Sequence, residues 1–330
     1  MLVCQFNVRL SFSSVNPIRL TSNSVSCYFQ KLEPLPWTPY NDECLRILAE
    51  SREHSADLLL VQFVRLQLIV EKAAQAPRHD GLSDASSFIS TPSQLYLKAL
   101  QIELQNFKQA LPLELSDNSK WICAAQGTAD ALTRRMLEVL LLHTHSTEVM
   151  IYEIALLKTP IPSNAMDFQR LDFFYACLQA VKNWFDAFLA IPPAAYVGIS
   201  MAVFTQMAHC IIALFRLSTL DYPGWDCGVV RNLANLSAIL GQIINNMVQV
   251  KPAAGLDKGD PEDKDIFSVK FRKVDKITTW WDSKVAAESN GLDAIVADEA
   301  MTEAPVDFWD DVWLQDVLGA GPYGYEHFVQ

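Results

Sequence analysis

Large apolar side chains along the middle of the chain recur at helical, not strand, spacing. Leu59, Phe63, Leu66 and Val70 follow one another at intervals of four, three and four. Leu97, Leu100, Leu104, Phe107 and Leu111 continue the rule until Pro112 stops it. Leu171, Phe174, Leu178, Val181, Phe185 and Phe188 trace one face through successive turns, and Leu233, Leu236, Leu240, Ile243 and Met247 do so again. A weaker pattern over 266–287 carries Phe271, Val274, Ile277, Trp281 and Val285. Each stripe strands a row of large side chains in water unless it is buried against another, so the pattern predicts packed amphipathic helices. No run alternates as a half-buried strand would. The expected fold class is all-α, with about eight to ten helices.

The breaks between stripes are polar or rich in proline and glycine. Residues 77–92 (PRHDGLSDASSFISTP) read as a loop, and 159–166 (TPIPSNAM) as a connector that leads to Asp167 as the next N-cap. Residues 221–228 (DYPGWDCG) end one long helix and start another, and 251–265 form an exposed linker. The expected organisation is a disordered N-terminal segment over 1–40, a large helical domain over 41–287 and an acidic tail over 288–330.

Composition sharpens this picture. Hydrophobic residues make up 50% of the 330 and charged residues 19%, which is globular rather than disordered. The net charge of -12 is concentrated in the tail. Residues 288–330 hold ten acids and neither Lys nor Arg, which leaves 28 acids against 26 bases in the rest. No basic stripe is present to neutralise phosphates, so direct nucleic-acid binding by this chain is not expected. Cysteines at 4, 27, 44, 123, 177, 210 and 227 form no CxxC pair, and buried thiols are the expectation. From Ala187 to Phe215 there is no charged residue, but Pro192, Pro193, Gln206 and His209 interrupt the stretch. It reads as a core helix, and no membrane partner is expected. The first 32 residues contain Arg9, Arg19, Lys31 and six serines without an acid, a faint transit-peptide composition that lacks an amphipathic face.

Candidate chemistry is sparse. No nucleophile elbow, phosphate loop or dinucleotide fingerprint occurs. His143 and His145, with Glu148 and Glu153 nearby, are the best metal candidate, but residues two apart on a helix point ~200° apart. HTHST itself reads as an interhelical turn capped by Ser146 or Thr147. Asp221 and Asp226 read as cap and turn residues, and His209 as an interior histidine. No active site assembles, so neither a catalytic residue nor a cofactor or metal is expected in this chain.

Several blocks, taken in order, resemble the region downstream of the zinc cluster in fungal zinc binuclear cluster transcription factors. They are DLLLVQFVRLQLIVEK (57–72), ELQNFKQALP (103–112), HSTEVMIYEIALL (145–157), RLDFFYACLQAVKNWFDAFLAIPPAAY (170–196) and FTQMAHCIIALFRLSTLDYPGWDCGVVR (204–231). The last contains the signature turn, with Pro223, Gly224, Trp225 and Asp226 followed by Arg231. The match spans roughly 42–318, and its specificity lies in the order of the blocks.

The resemblance implies a helical regulatory domain of the middle-homology-region type, a nuclear location, protein partners such as a coactivator or a related regulator, and the option of a homodimer. It does not carry over DNA binding. In the family that requires six cysteines around two zinc ions, and zinc is expected here only with a cluster upstream of Met1. Either the cluster was lost or the chain's start lies downstream of it.

In the tail, DFWDDVWLQDVL interleaves Asp307, Asp310, Asp311 and Asp316 with Phe308, Trp309, Trp313 and Leu314. Acids among large apolar groups are the composition of an activation segment that offers its aromatics to a partner groove. Val306, Trp309, Trp313 and Val317 share one helical face, but Asp310 and Asp316 intrude on its edges and leave it only partly amphipathic; a terminal helix docked on the body is the competing expectation. Similar acidic-aromatic strings end members of the resembled family. The leading reading is a transcription regulator without its own zinc cluster. The alternatives are a truncated or inhibitory fragment of such a factor, or a helical effector-binding protein or enzyme.

Overall fold

A computed structural model describes residues 37–51, 55–74, 91–111, 131–154, 168–256, 278, 279, 281–283 and 285. All regular structure among them is helical. The helices are α1 (Pro39–Ser51), α2 (Ser55–Ala74), α3 (Thr91–Ala110), α4 (Ala131–Glu153), α5 (Phe168–Leu189), a 3₁₀ turn (Pro193–Gly198), α6 (Met201–Ser218), α7 (Cys227–Leu233) and α8 (Leu236–Ala253). The chain divides into two compact units, with the boundary inside α5 between Trp184 and Phe185.

In the first unit α2 is the central element. One side of it buries Leu59, Leu66, Ile69 and Ala73 against Leu100, Leu104 and Phe107 of α3 and Leu137, Leu140 and Ile151 of α4. Its other side buries Val61 and Val64 against Cys44 and Leu48 of α1. A helix covered on two sides needs a wider apolar arc than a single stripe. The helix accordingly buries more than the sequence periodicity marks, and Phe63 of that stripe is only partly buried. Each fully buried leucine contributes about 1.5–3 kcal/mol by leaving water.

The stripe of α3 is buried in full, from Leu97 to Leu111, as is that of α5 from Leu171 to Phe188. The α3 helix starts at Thr91, so Thr91 and Pro92 belong to its first turn and not to the preceding loop. Proline is tolerated there because first-turn N–H groups have no partner within the helix.

The segment HTHST is not an interhelical turn: α4 runs through it without a break. The hydroxyls explain why a polar run can be helical and buried. Thr144 Oγ1 donates to the Leu140 carbonyl at 2.8 Å, and Thr147 Oγ1 donates to the His143 carbonyl at 2.7 Å. Each returns its proton to the turn before it, so neither competes for a backbone partner elsewhere.

The second unit is built round α6. Thirteen of its 18 residues are buried, on every side of the helix. Among the described residues it is one of two stretches long and apolar enough to cross a membrane, and its 72% burial marks it as a core helix. Tyr196, in the 3₁₀ turn, sits against the Phe188 ring at 5.0 Å between centroids. Its hydroxyl donates to the Phe188 carbonyl at 3.3 Å and accepts from Asn246 Nδ2 of α8 at 3.1 Å. Burial raises the Tyr196 phenol above its ordinary pKa, so it stays protonated and can donate.

The α8 stripe begins at Leu236 and not at Leu233. The chain breaks helix between them, at Ala234 and Asn235, and the Asn235 side chain caps α8 by accepting from the Ala238 N–H at 2.9 Å. Leu233 is consequently left exposed at the end of α7. The linker expected from 251 begins later, because α8 runs to Ala253; Asp167, the rest of that linker beyond Leu256 and most of 266–287 lie outside the described residues, although Trp281 is seen buried in this unit.

Leu140 is fully enclosed between α2, α3 and α4. Leu140→Ala is expected to destabilise the first unit by about 2–5 kcal/mol. Tyr40→Ala, at an exposed site, is expected to stay within about 0.5 kcal/mol of the parent. Urea unfolding followed by circular dichroism checks both.

Candidate functional site

The signature residues converge on the C-terminal end of α6, in the second unit. The last carbonyls of any helix lack partners inside it, and here Leu217 and Ser218 are buried while Arg216 is exposed. Each of the last four finds a donor. Thr219 Oγ1 donates to the Phe215 carbonyl at 3.0 Å, and the Thr219 N–H donates to the Arg216 carbonyl at 3.3 Å. The indole N–H of Trp225 donates to the Leu217 carbonyl at 2.8 Å. Arg231 donates to the Ser218 carbonyl from Nη2 at 3.0 Å and from Nε at 3.3 Å. Its cation also lies at the negative end of the helix dipole, a favourable place for it.

The turn between α6 and α7 is shaped to deliver these donors. Gly224 sits at φ 83°, in left-handed backbone that favours glycine. The Trp225 N–H closes the turn onto the Tyr222 carbonyl at 3.0 Å. Asp226 then caps α7, accepting from the Gly228 N–H at 2.8 Å and the Val229 N–H at 3.3 Å. A Cβ at Gly228 would lie 3.1 Å from the Asp226 carboxylate, so the small residue also suits the cap. Starting α7 there brings Arg231 round beneath α6. Trp281 adds a lid: its ring lies 5.4 Å from the Arg231 guanidinium carbon and 5.2 Å from the Phe215 ring. Trp281 also belongs to a sequence stripe, but no sequence signal tied it to Arg231.

The turn is therefore a capping device whose chemistry is structural. Pro223 and Gly224 are exposed at its tip, whereas Trp225 is buried. Asp226 acts as the cap that its position suggested. Asp221 is exposed beside the turn. The acidic-aromatic candidates, Asp307, Phe308, Trp309, Asp310, Asp311, Trp313, Leu314 and Asp316, lie outside the described residues.

The histidine pair of α4, in the first unit, separates as helical geometry requires. His143 meets the edge of the Phe63 ring at 5.6 Å. The ring keeps a little accessible surface, yet protein packs round it and burial pushes its pKa down to about 4. His145 Nδ1 lies 2.9 Å from Glu148, which also pairs with Lys108. Burial would raise the Glu148 carboxyl, but the hydrogen bond to His145 and the charge of Lys108 outweigh it and hold the carboxyl below its usual range. No three His, Cys, Asp or Glu side chains cluster as a metal site among the described residues.

Comparison with known proteins places these features in a family. The chain is 33% identical over 91% of its length to transcription factor opdL of Penicillium oxalicum. It is 28% identical over 68% of its length to a transcription factor of Aspergillus terreus. It spans 50% of the first relative and 37% of the second, so about half or less of each. Residues 193–325 match a family described as a C-terminal domain, which takes in the whole capped turn. No solved structure matches. Over most of its length the chain is thus similar to fungal proteins named transcription factors, as its ordered helix blocks indicated.

Trp225→Phe keeps the ring and removes the indole N–H. It is expected to cost about 1–3 kcal/mol, because the buried Leu217 carbonyl loses its donor. Thermal and urea unfolding of the parent and variant measure this. A second prediction concerns pH. The pKa of His143 is lower folded than unfolded, so its contribution is fully present above about 6.5 and lost as pH falls toward about 4. His143→Leu is expected to flatten the loss of stability across that window by at most about 3 kcal/mol. Urea midpoints measured at intervals from pH 7 to pH 4 test the sign.

Proposed function

We propose that this chain is the helical regulatory body and acidic tail of a fungal transcription regulator of the zinc-cluster type, acting through protein–protein contacts. The observation that carries this reading is the similarity to a named transcription factor over 91% of the chain. The residues support the finer points. Seven cysteines without a CxxC pair are poor material for a two-zinc cluster, and the described ones (Cys44, Cys177, Cys210 and Cys227) sit in separate helices. On this reading DNA is read by residues outside this chain, no cofactor is held within it, and its place of action is the nucleus. A non-enzymatic role is part of the same reading, supported by the names of the relatives.

The tail is assigned the contact with the transcription machinery. Asp307, Asp310, Asp311 and Asp316 keep Phe308, Trp309, Trp313 and Leu314 soluble, and the aromatics supply the apolar anchors of a partner groove. A second reading gives the body a sequestering role, in which it holds the partners of a related regulator and acts as an inhibitor.

Fusing residues 288–330 to a heterologous DNA-binding domain separates the two. Activation predicts reporter output well above the DNA-binding domain alone, with loss of that output on Trp309→Ala and Trp313→Ala. A silent fusion, with the substitutions making no difference, would count against the tail's role and favour the inhibitor.

A further inference from the structure

We infer that Trp281 fastens the acidic tail to the capped end of α6. Residues 288–330 then leave the second unit from the junction of α6 and α7, and not from the end of α8. This goes beyond the proposed function, because it concerns where the tail is rooted and holds whether or not the tail activates.

The fastening is made at one buried side chain. Among the described residues from 278 to 285, Trp281 is buried, whereas Thr279, Asp282 and Ser283 are exposed. Its contacts reach three helices. The ring meets Phe215 of α6 and lies over Arg231 of α7. Next to it, the Asp282 carboxylate accepts from Ser237 Oγ in the first turn of α8. Arg231 can serve both of its partners because a guanidinium is planar. Its edge donates to the Ser218 carbonyl, and its face is left for the indole. Trp281 in turn covers the group that caps α6, so strap and cap support each other. An indole suits this role, since it buries a large area with few rotatable bonds.

The position of Trp281 in the sequence gives the contact its consequence. The tail begins at 288, a few residues beyond it. Between the last described strap residue, Val285, and the acidic-aromatic segment lie about twenty residues, 286–305. Their full extension is at most about 65 Å. Measured from Leu256, beyond the end of α8, the count is about fifty residues, 257–305, with a ceiling of about 160 Å. These ceilings hold whatever path the intervening chain takes. Rooting at Trp281 therefore cuts the volume open to the segment roughly tenfold, and raises its local concentration beside α6 and α7. The family match runs from 193 to 325 and so carries turn, strap and segment together as one domain.

Two measurements on the full chain test this. In hydrogen exchange, peptides covering 278–285 are expected to exchange at least about tenfold more slowly than a free peptide of that sequence. Trp281→Ala should return them to the free rate, and Trp281→Phe should keep most of the protection. In energy transfer, a donor at the exposed Leu233 is paired with an acceptor at position 305. Trp281→Ala should lower the transfer by at least about half, as the tether lengthens. Should Trp281→Ala also unfold α6, two milder variants replace it. Ser237→Ala removes the bond to Asp282, and Arg231→Lys removes the flat face. Each should raise exchange in 278–285 and lower the transfer while α6 keeps its protection.

The inference is overturned if 278–285 exchanges at the free rate in the parent. It is also overturned if freeing 278–285 leaves the transfer unchanged, since the tail is then held elsewhere. Protection that grows with concentration, alongside a doubled mass in light scattering, assigns the strap to a second copy and likewise sinks it. The reporter fusion of residues 288–330 lacks Trp281, so failure of activation and failure of fastening are told apart.

Discussion

The buried C-terminal end of α6 sets the terms for the second unit. Leu217 and Ser218 are buried there and cannot hand their carbonyls to water, and leaving both unpaired would cost a large share of a domain's stability. Thr219, Trp225 and Arg231 take up those carbonyls. To reach them the chain must turn sharply at Gly224 and restart helix at Asp226. The positions of α7, of the exposed Leu233 and of Trp281 follow from that requirement. The residues of this turn thus have a physical reason to occur together, and the reason is the same for each.

This changes what the signature says about function. A tryptophan, an aspartate and an arginine in one turn could suggest a binding site for a ligand or partner. Their side chains instead spend their hydrogen bonds on the backbone of the same unit. If the chain works through protein contacts as proposed, those contacts fall to surfaces that the packed helices leave uncovered.

The first unit handles polarity differently. A run of histidine, threonine and serine lies within the central turns of α4, where an apolar core would be expected. Hydroxyls bond back to the preceding turn, His145 pairs with Glu148, and His143 rests against an aromatic edge. Burial keeps His143 neutral near neutral pH, so acidification works against this helix.

The helices themselves were legible in the sequence, because spacing of three and four residues is a local property that burial requires of any amphipathic helix. Leu97 to Leu111 and Leu171 to Phe188 are buried as their spacing demanded. Asp226 was legible as a cap, since capping needs only the next few N–H groups. The continuity of α4 through HTHST was not legible, because polar residues inside a helix depend on what packs round them. Nor was the break before Leu236, where periodicity carries straight across a cap. The partnership of Trp225 and Arg231 with the end of α6 joins residues 8 and 13 positions away from their acceptors. Local pattern determined which segments of this protein are helical and which faces must be buried. Only the tertiary structure decided which backbone groups end in the dark, because that depends on what covers a helix end and not on the residues within it.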